Sequence, residues 1–254
     1  MPEINDLQIY NQRMAAGMED KMWFVHMVCS DVRVIVDYGC ADGTLLSLIH
    51  RKYPHLILIG VDNNADMLRM AKKNVPSGIF YSVNKFKDVR LNFGNAALIL
   101  SSVIHEIFTY EKDPISVTNG LLTQGFKYIA IRDMMLSEDV AKQTSDPFDF
   151  VAVKEKSDAN MLHEFENIYG DVNNKENLIH FLLKYRYVEN WDREVREDYF
   201  PWTLESFLRC VIIGTYQLEH LDHYTLPYLK DIIKKDFDID LNEKTHVKLL
   251  LKKV

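Results

Sequence analysis

The chain has 254 residues, of which 47% are hydrophobic and 26% charged, a composition typical of a globular protein with a full core. Acidic residues outnumber basic ones by 37 to 30, and the net charge of −7 argues against broad nucleic-acid binding. The three cysteines form no CxxC pair, so neither a disulfide framework nor a metal site is expected. Because no apolar run approaches membrane-spanning length, we expect a cytoplasmic protein without a membrane partner.

The first half of the chain alternates between predicted strands and helices. Residues 1–29 are predicted to form a helical segment, because apolar side chains recur at helical spacing over residues 7–28. Five apolar runs of the buried-strand type follow, at residues 33–38, 56–61, 79–83, 96–101 and 127–131. Helical stretches lie between them at residues 41–54, 64–73 and 114–122. This alternation over residues 30–135 predicts a parallel sheet with helices on both faces.

The pattern changes after Met135. Residues 136–200 are charged, rich in asparagine and mostly helical, and we interpret them as an insertion or cap over the carboxyl edge of the sheet. Residues 201–254 are expected to supply a helix at 203–212 and strands that complete the sheet, including one at 246–251. The polar and aromatic stretch 217–224 could return to the ligand pocket, but a solvated loop is the favoured prediction.

The turn after the first predicted strand is the most informative part of the sequence. Gly39 and Gly43 give it the spacing D-x-G-x-x-x-G, which differs from the glycine patterns of dinucleotide-binding and phosphate-binding loops. Such a turn, without bulky side chains, lets a ligand approach the backbone. An acidic Asp37 beneath the turn would repel a pyrophosphate and suit a ligand with a cationic amino group.

This turn resembles the first motif of the class I methyltransferases that use S-adenosylmethionine (SAM), approximately hydrophobic-D-x-G-C-G-x-G, with Ala41 in place of the middle glycine. The second strand ends at Asp62 and runs into a helix that resembles the continuation in that family. The resemblance covers residues 30–135. It implies an α/β fold with a doubly wound, mostly parallel, seven-stranded sheet and a mainly helical insertion, with SAM as cofactor and S-adenosylhomocysteine (SAH) as product.

The resemblance also implies a set of cofactor-binding residues. Asp62 would accept both ribose hydroxyls, although a helix N-cap is its alternative role. Asn84 is the nearest match to the family's aspartate beside the adenine, with Asp88 as a competitor, and the serines after the fourth strand would lie near the methyl group. The full set is Asp37, Gly39, Cys40, Ala41, Gly43, Asp62, Asn63, Asn84, Ser101 and Ser102.

Candidate catalytic residues follow the fourth and fifth strands. His105 and Glu106 come directly after the fourth, and His105 is the preferred general base because an ordinary histidine titrates near neutral pH. A histidine that merely packs at the start of a helix is the alternative. Arg132 and Asp133 follow the fifth strand and are interpreted as part of a structural ion-pair cluster.

These features predict a methyltransferase that acts on an oxygen or nitrogen of an unidentified acceptor, with a small molecule favoured. An RNA or nucleotide methyltransferase is the first alternative, since residues 184–187 and 190–193 mix basic and aromatic side chains that RNA-binding surfaces use. An amphipathic helix packed on the sheet would have the same composition, and we favour that. A non-catalytic scaffold that binds SAM is the alternative from another class. The oligomeric state is not predicted.

Overall fold

The computed structural model describes residues 17–90, 92–211 and 215–254, and its centre is one sheet of seven strands. The strands are β1 (Val34–Tyr38), β2 (Ile57–Asp62), β3 (Ile79–Ser82), β4 (Ala96–Ser101), β5 (Tyr128–Met134), β6 (Tyr216–Tyr224) and β7 (His246–Lys253). Their order across the sheet is β3-β2-β1-β4-β5-β7-β6. The pairs among β1 to β5 are parallel, whereas β7 is antiparallel to both β5 and β6.

Helices flank this sheet along the whole described chain. Those up to the fifth strand are α1 (Met18–Lys21), α2 (Val25–Val28), α3 (Thr44–Lys52), α4 (Ala65–Asn74), α5 (Val83–Phe86), α6 (Ile104–Tyr110) and α7 (Pro114–Thr123). Those of the insertion are α8 (Glu138–Ala141), α9 (Pro147–Lys156), α10 (Ala159–Tyr169), α11 (Lys175–Tyr185) and α12 (Trp191–Glu194). The last two are α13 (Leu204–Val211) and α14 (Pro227–Phe237). Short 3₁₀ turns lie at Phe93–Asn95 and Val188–Asn190.

The sheet has a hydrophobic cluster on each face, because successive side chains of a strand point to opposite sides. In β1, Ile35 belongs to the cluster that contains α3, and Val36 belongs to the cluster on the other face. Leu98 and Ile99 divide in the same way in β4. Strands buried on both faces read as continuous apolar runs, which is why the sequence located β1, β2 and β4 to within a residue or two.

The insertion has a core of its own. Leu178 and Phe181 of α11 and Trp191 of α12 pack with Leu229 and Phe237 of the C-terminal helix α14 in a third buried cluster. Because the insertion and α14 share one core, removal of residues 136–200 would expose the apolar face of α14.

The structure differs from the sequence predictions at two places. The segment 217–224, predicted to be a solvated loop, belongs to edge strand β6 and pairs with β7, with a register shift between Leu218 and His220. Of the helix predicted over residues 7–28, residues 7–16 lie outside the described residues. The remainder contains the two separate helices α1 and α2. Within the described ranges, no helix is long and apolar enough to cross a membrane.

Candidate active site

The turn between β1 and α3 has a backbone that only a glycine-rich sequence adopts easily. Gly39 has φ of +83° and Gly43 has φ of +75°, both in the left-handed region. A Cβ atom on Gly39 would lie 2.7 Å from a methyl carbon of Val103, which follows β4. The amides of Gly39 and Cys40 both donate to the carbonyl of Val61 in β2, at 2.8 and 3.0 Å. The turn is therefore fixed against the two strands beside it.

Ala41 at the centre of the turn is also left-handed, with φ of +45°. Alanine thus stands in place of the motif's middle glycine in a backbone conformation that favours glycine. The left-handed conformation costs an alanine roughly 1–2 kcal/mol. A hydrogen bond from its amide to Asp62 Oδ2, at 2.9 Å, offsets part of this cost.

Asp62 lies at the tip of β2 and faces the turn. Its Oδ2 accepts from Ala41, and its Oδ1 accepts from the amide of Asn64 at 2.8 Å. The N-cap of α4 is Asn64, whose side chain accepts from the amides of Asp66 and Met67, so Asp62 is not the cap. A carboxylate has about four acceptor positions, and two of them remain available to a ligand.

Asp37, at the end of the first strand, and Lys21, in the N-terminal helix α1, are buried side chains of opposite charge that influence each other without direct contact. Burial raises the pKa of Asp37 to about 7, the positive charge of Lys21 opposes that rise, and Asp62 adds to it. Burial and the nearby Arg132 lower the pKa of Lys21 to about 8 against the attraction of Asp37 and other carboxylates. Both side chains therefore titrate close to neutral pH.

The serines at the end of β4 differ in their partners. Ser101 Oγ is buried and has no hydrogen-bond partner among the residues that the structure describes. Ser102 has φ of +55°, an uncommon conformation for a residue with a Cβ, and its amide donates to the carbonyl of Arg132 at 2.7 Å. Arg132 Nη1 in turn donates to Ser102 Oγ at 2.9 Å. An unsatisfied buried hydroxyl beside a strained residue is typical of a ligand-binding edge.

His105 is held by a carboxylate on each side. Its Nδ1 lies 2.7 Å from Asp133 Oδ1, and its Nε2 lies 3.8 Å from Glu197 Oε2. Burial alone would lower the pKa of His105, but Asp133 and Glu197 outweigh burial and raise it to about 9. His105 is consequently protonated at neutral pH, and a protonated imidazole cannot accept a proton as a general base. Asp133 also accepts from the amides of Val103 and Ile104 at the start of α6.

Glu106 is the neighbouring acid on α6. Burial and the nearby Glu197 raise its pKa to about 7, while His105 and Arg193 act in the opposite direction. Arg193 bridges the two glutamates, with Nη2 3.0 Å from Glu106 Oε1 and Nε 2.8 Å from Glu197 Oε1. Tyr110 donates a further hydrogen bond to Glu197 at 3.0 Å. Glu106 is thus near its titration midpoint at neutral pH.

Ligand atoms of His105, Glu106 and Glu197 lie within 4.8 Å of one another, a spacing that a metal ion could use. Arg193 already bonds an oxygen of each glutamate. It therefore supplies the positive charge that a metal would otherwise bring, and we interpret the group as an ion-pair network.

A second ion-pair network starts from Arg132 in β5. Its Nε lies 3.0 Å from Asp20, which also accepts from Tyr224 at 2.6 Å and pairs with Lys248 at 2.5 Å. The interpretation of Arg132 and Asp133 as members of structural ion-pair networks agrees with these contacts.

A cavity of about 110 Å³ lies where these groups meet the insertion. The sheet side contributes Ser102, His105, Glu106 and Arg132, and the N-terminal segment contributes Lys21. The insertion and the C-terminal region contribute Leu183, Arg186, Tyr187, Arg193, Glu194, Glu197, Tyr199, Leu226, Tyr228, Leu229 and His246 to its lining. The insertion therefore lies next to the carboxyl ends of β4 and β5.

Comparison with known proteins matches a short segment in sequence and nearly the whole chain in structure. No protein-family model matches the chain. The trans-aconitate 2-methyltransferases of Afipia carboxidovorans and Rhodopseudomonas palustris are 39% and 41% identical to it over 54 residues. That segment is 21% of this chain and 21% of each relative, so the chain matches about a fifth of their length.

Three solved structures overlap most of the chain. The plantazolicin methyltransferase BamL, solved with SAH and a triazolic desmethyl analogue, has a TM-score of 0.51 at 14% identity, covering 96% of this chain and 88% of its own. The methyltransferase domain of bacterial CtHen1-C has a TM-score of 0.51 at 12% identity, covering 93% of this chain and 97% of its own. MccD protein has a TM-score of 0.54 at 10% identity, covering 91% of this chain and 95% of its own. The chain has the class I methyltransferase fold. The predicted fold is confirmed.

In this methyltransferase fold the remaining candidate cofactor residues lie apart from the cavity. Cys40 is buried, packed so that a Cβ on Gly60 would meet its sulfur at 2.8 Å, and burial raises the pKa of its thiol well above the ordinary range. Asn63 and Asn84 are exposed, Asn63 after β2 and Asn84 in the short helix α5, and Asp88 is exposed as well. Asn84 and Asp88 therefore remain equivalent candidates for the adenine.

The sequence analysis gave no cavity role to five charged residues that line it: Lys21, Arg186, Arg193, Glu194 and Glu197. Arg186 and Arg193 lie in the segments that we interpreted as an amphipathic helix or an RNA-binding surface, and the two glutamates follow them in the insertion. One signal was present, namely charged side chains interspersed among the apolar residues of that segment. Periodicity alone could not tell whether those charges faced water or the cavity.

Proposed function

We propose that the chain is a methyltransferase that binds SAM at the turn after β1 and transfers its methyl group to an oxygen or nitrogen of a small molecule. The observation that carries this proposal is the pairing of the Gly39–Gly43 turn with Asp62, whose carboxylate both orders Ala41 and keeps acceptor positions for two ribose hydroxyls. The methyltransferases that are similar to the chain in sequence and in structure support the same activity.

The residues around the turn fit the charged end of SAM. Its ammonium group suits the buried acid Asp37, and its carboxylate suits Lys21, a buried cation without a carboxylate contact among the described residues. Ser101 Oγ, which lacks a partner, can donate to or accept from the same cofactor. Bound SAM supplies an electrophilic methyl group on a sulfonium, so the tasks left to the protein are orientation of the acceptor and removal of its proton.

We assign the removal of the proton to Glu106 and a positioning role to His105. A general base works best with a pKa near the operating pH, and that of Glu106 is about 7. His105, with a pKa of about 9, instead contributes positive charge beside Glu106 and Glu197. The sequence favoured His105 as the general base, and this proposal moves that role to its neighbour Glu106.

A small molecule is a better acceptor than RNA for this site. The basic residues that suggested RNA binding face inward: Lys184 is fully buried and donates to the carbonyls of Glu194 and Glu197. Trp191, in the same segment, is buried and donates to Glu164 at 2.9 Å. Neither side chain is available for stacking on a base.

Isothermal titration of the full chain with SAH tests the proposal. We expect binding that nicotinamide dinucleotides do not displace. Asp62→Ala should weaken it by roughly 1–3 kcal/mol, the range for losing charge-assisted hydrogen bonds. Asp231→Ala, an exposed acid on α14, is the matched control and should bind like the wild type. Absence of SAH binding would refute the proposal, and unchanged affinity in Asp62→Ala would refute the ribose assignment.

A further inference from the structure

Arg186 is a positive charge of the cavity that the proposed transfer reaction does not use. It follows the last residue of α11 and is half-buried. Its guanidinium lies over the ring of Tyr187, 4.4 Å from the centroid, and 5.1 Å from that of Tyr228, and Nη1 donates to Tyr228 Oη at 3.2 Å. Two rings and one hydrogen bond therefore fix the plane of the guanidinium at the cavity wall.

No carboxylate of the described residues makes an ion pair with Arg186. The pKa of Arg186 is raised overall: burial lowers it, but the neighbouring Tyr187, Tyr228 and Tyr199 outweigh burial. The other cations on the sheet side and from α12 each have an acid in contact. These pairs are Arg132 with Asp20, His105 with Asp133, and Arg193 with Glu106 and Glu197.

The unpaired charge has a physical consequence. A partly buried charge loses hydration, and among the described residues no counter-ion replaces it for Arg186; cation–π contact offsets only part of that loss. A guanidinium has five N–H donors in a planar fork, and one of those on Arg186 is accounted for by Tyr228. The remaining donors match an oxyanion from outside the chain, because the fork fits two oxygens of one group.

The charges of the cavity also limit the anion. Glu106, Glu194 and Glu197 line the same space, so every additional negative charge on a ligand meets carboxylates that are already there. Lys21, the other cation without a carboxylate contact, is assigned to the carboxylate of SAM under the proposed function. With Lys21 assigned in this way, Arg186 is left to bind the second ligand, and its single positive charge matches one negative charge on that ligand. A monoanionic carboxylate is therefore favoured over a phosphate, which carries nearly two charges at neutral pH.

We propose that the methyl acceptor is a small molecule with a carboxylate, and that Arg186 binds this carboxylate at the insertion side of the cavity. The inference rests on the proposed function, because it needs the cofactor on the opposite, sheet side. Tyr187, Tyr199 and Tyr228 line the same wall and would contact an apolar or aromatic body attached to the carboxylate. In this arrangement the insertion selects the acceptor, and the sheet edge binds the cofactor.

Three small probes of one shape test the charge requirement: benzoate, the neutral benzamide, and phenyl phosphate. Each is titrated into the full chain saturated with SAH, with binding measured by saturation-transfer NMR or calorimetry. We expect the wild type to prefer benzoate over benzamide by at least about tenfold, the effect of a charge-assisted hydrogen bond. Arg186→Met should lose this preference. Arg196→Met, an exposed arginine of the same segment, should keep it.

The outcomes separate the inference from the function on which it rests. A chain that does not bind SAH refutes the proposed function itself. If SAH binds but benzoate is no better than benzamide, or Arg186→Met keeps the preference, the role of Arg186 is refuted. Tighter binding of phenyl phosphate than of benzoate would overturn the choice of a carboxylate.

A packing defect must be distinguished from a lost charge. Arg186→Met is a valid test only if SAH affinity and the thermal midpoint stay close to the wild type. Arg186→Lys is the second variant, since lysine keeps the charge without the planar fork. We expect Arg186→Lys to retain part of the preference for benzoate. Full retention would show that the fork is unnecessary and would overturn its role.

Discussion

Replacing His105 with glutamine should change the pH dependence of stability in a defined way. The pKa of His105 is about 9 in the folded protein against an ordinary value of 6.5, because Asp133 and Glu197 outweigh its burial. The folded state therefore holds the proton more tightly than the unfolded chain. The stabilisation is fully present below the unfolded pKa and is lost as the pH rises through the folded one.

The size of the effect follows from this difference. Each pKa unit corresponds to about 1.4 kcal/mol, so protonation of His105 contributes about 3 kcal/mol at pH 6.5 and almost nothing at pH 9.5. The ion pair with His105 also lowers the pKa of Asp133, against the effect of burial. The free energy of this pair is included only once, in the value given for His105. The stability of the wild type alone cannot reveal the effect. Burial lowers the pKa of Lys21 to about 8 and that of Lys184 to about 7, so both lysines make the folded protein more stable as the pH rises over part of this range.

Urea unfolding of the wild type and of His105→Gln at several pH values isolates the contribution of His105 protonation to stability, since both lysines titrate in either protein. The difference in the free energy of unfolding should narrow by about 3 kcal/mol between about pH 6.5 and pH 9.5. His163→Gln, an exposed histidine on α10, is the control and should give a nearly constant difference. A constant difference for His105→Gln would show that the folded protein does not hold this proton, and the positioning role would fail.

Two further predictions concern the proposed reaction. Glu106→Gln should lower kcat by roughly 10²–10⁴ and remove a limb near pH 7 from the rate profile, with SAH affinity unchanged. A smaller loss with the limb intact would move the base elsewhere. The affinity for SAH should rise through about pH 7 as Asp37 ionises and fall above about pH 8 as Lys21 loses its proton. Calorimetry over this range checks it, and a flat profile would contradict both assignments.

The sequence predicted the central strands of the sheet better than edge strand β6. Strands β1, β2 and β4 are buried on both faces, so their apolar runs are visible without knowledge of their neighbours. Edge strand β6 alternates half-exposed polar and apolar residues, and the irregularity between Leu218 and His220 interrupts that alternation. An interrupted polar pattern is indistinguishable from a loop in sequence, which is why the segment was predicted wrongly.

The cofactor half and the acceptor half of the candidate site also differ in how well the sequence predicts them. The cofactor half depends on local geometry: two glycines and an acid at the next strand tip are separated by short stretches of chain. Sequence alone could not show that Ala41 is left-handed, because that conformation depends on the hydrogen bond from its amide to Asp62. The acceptor half combines α6 with α12 and the segment after it, and these contacts are distant in sequence. Nothing local at His105 indicates that Glu197 lies 3.8 Å away.

The contrast between His105 and Glu106 shows why position at a strand end does not decide catalytic role. The two are adjacent on α6, and both line the cavity. His105 lies between Asp133 and Glu197, and each carboxylate favours its protonated form. Burial and Glu197 also favour protonation of Glu106, but this brings the pKa of a carboxyl up to about 7, near the operating pH. Asp133, helped by Glu197, thus moves the pKa of the histidine above the range of a general base, whereas burial, helped by Glu197, moves the pKa of the glutamate into it.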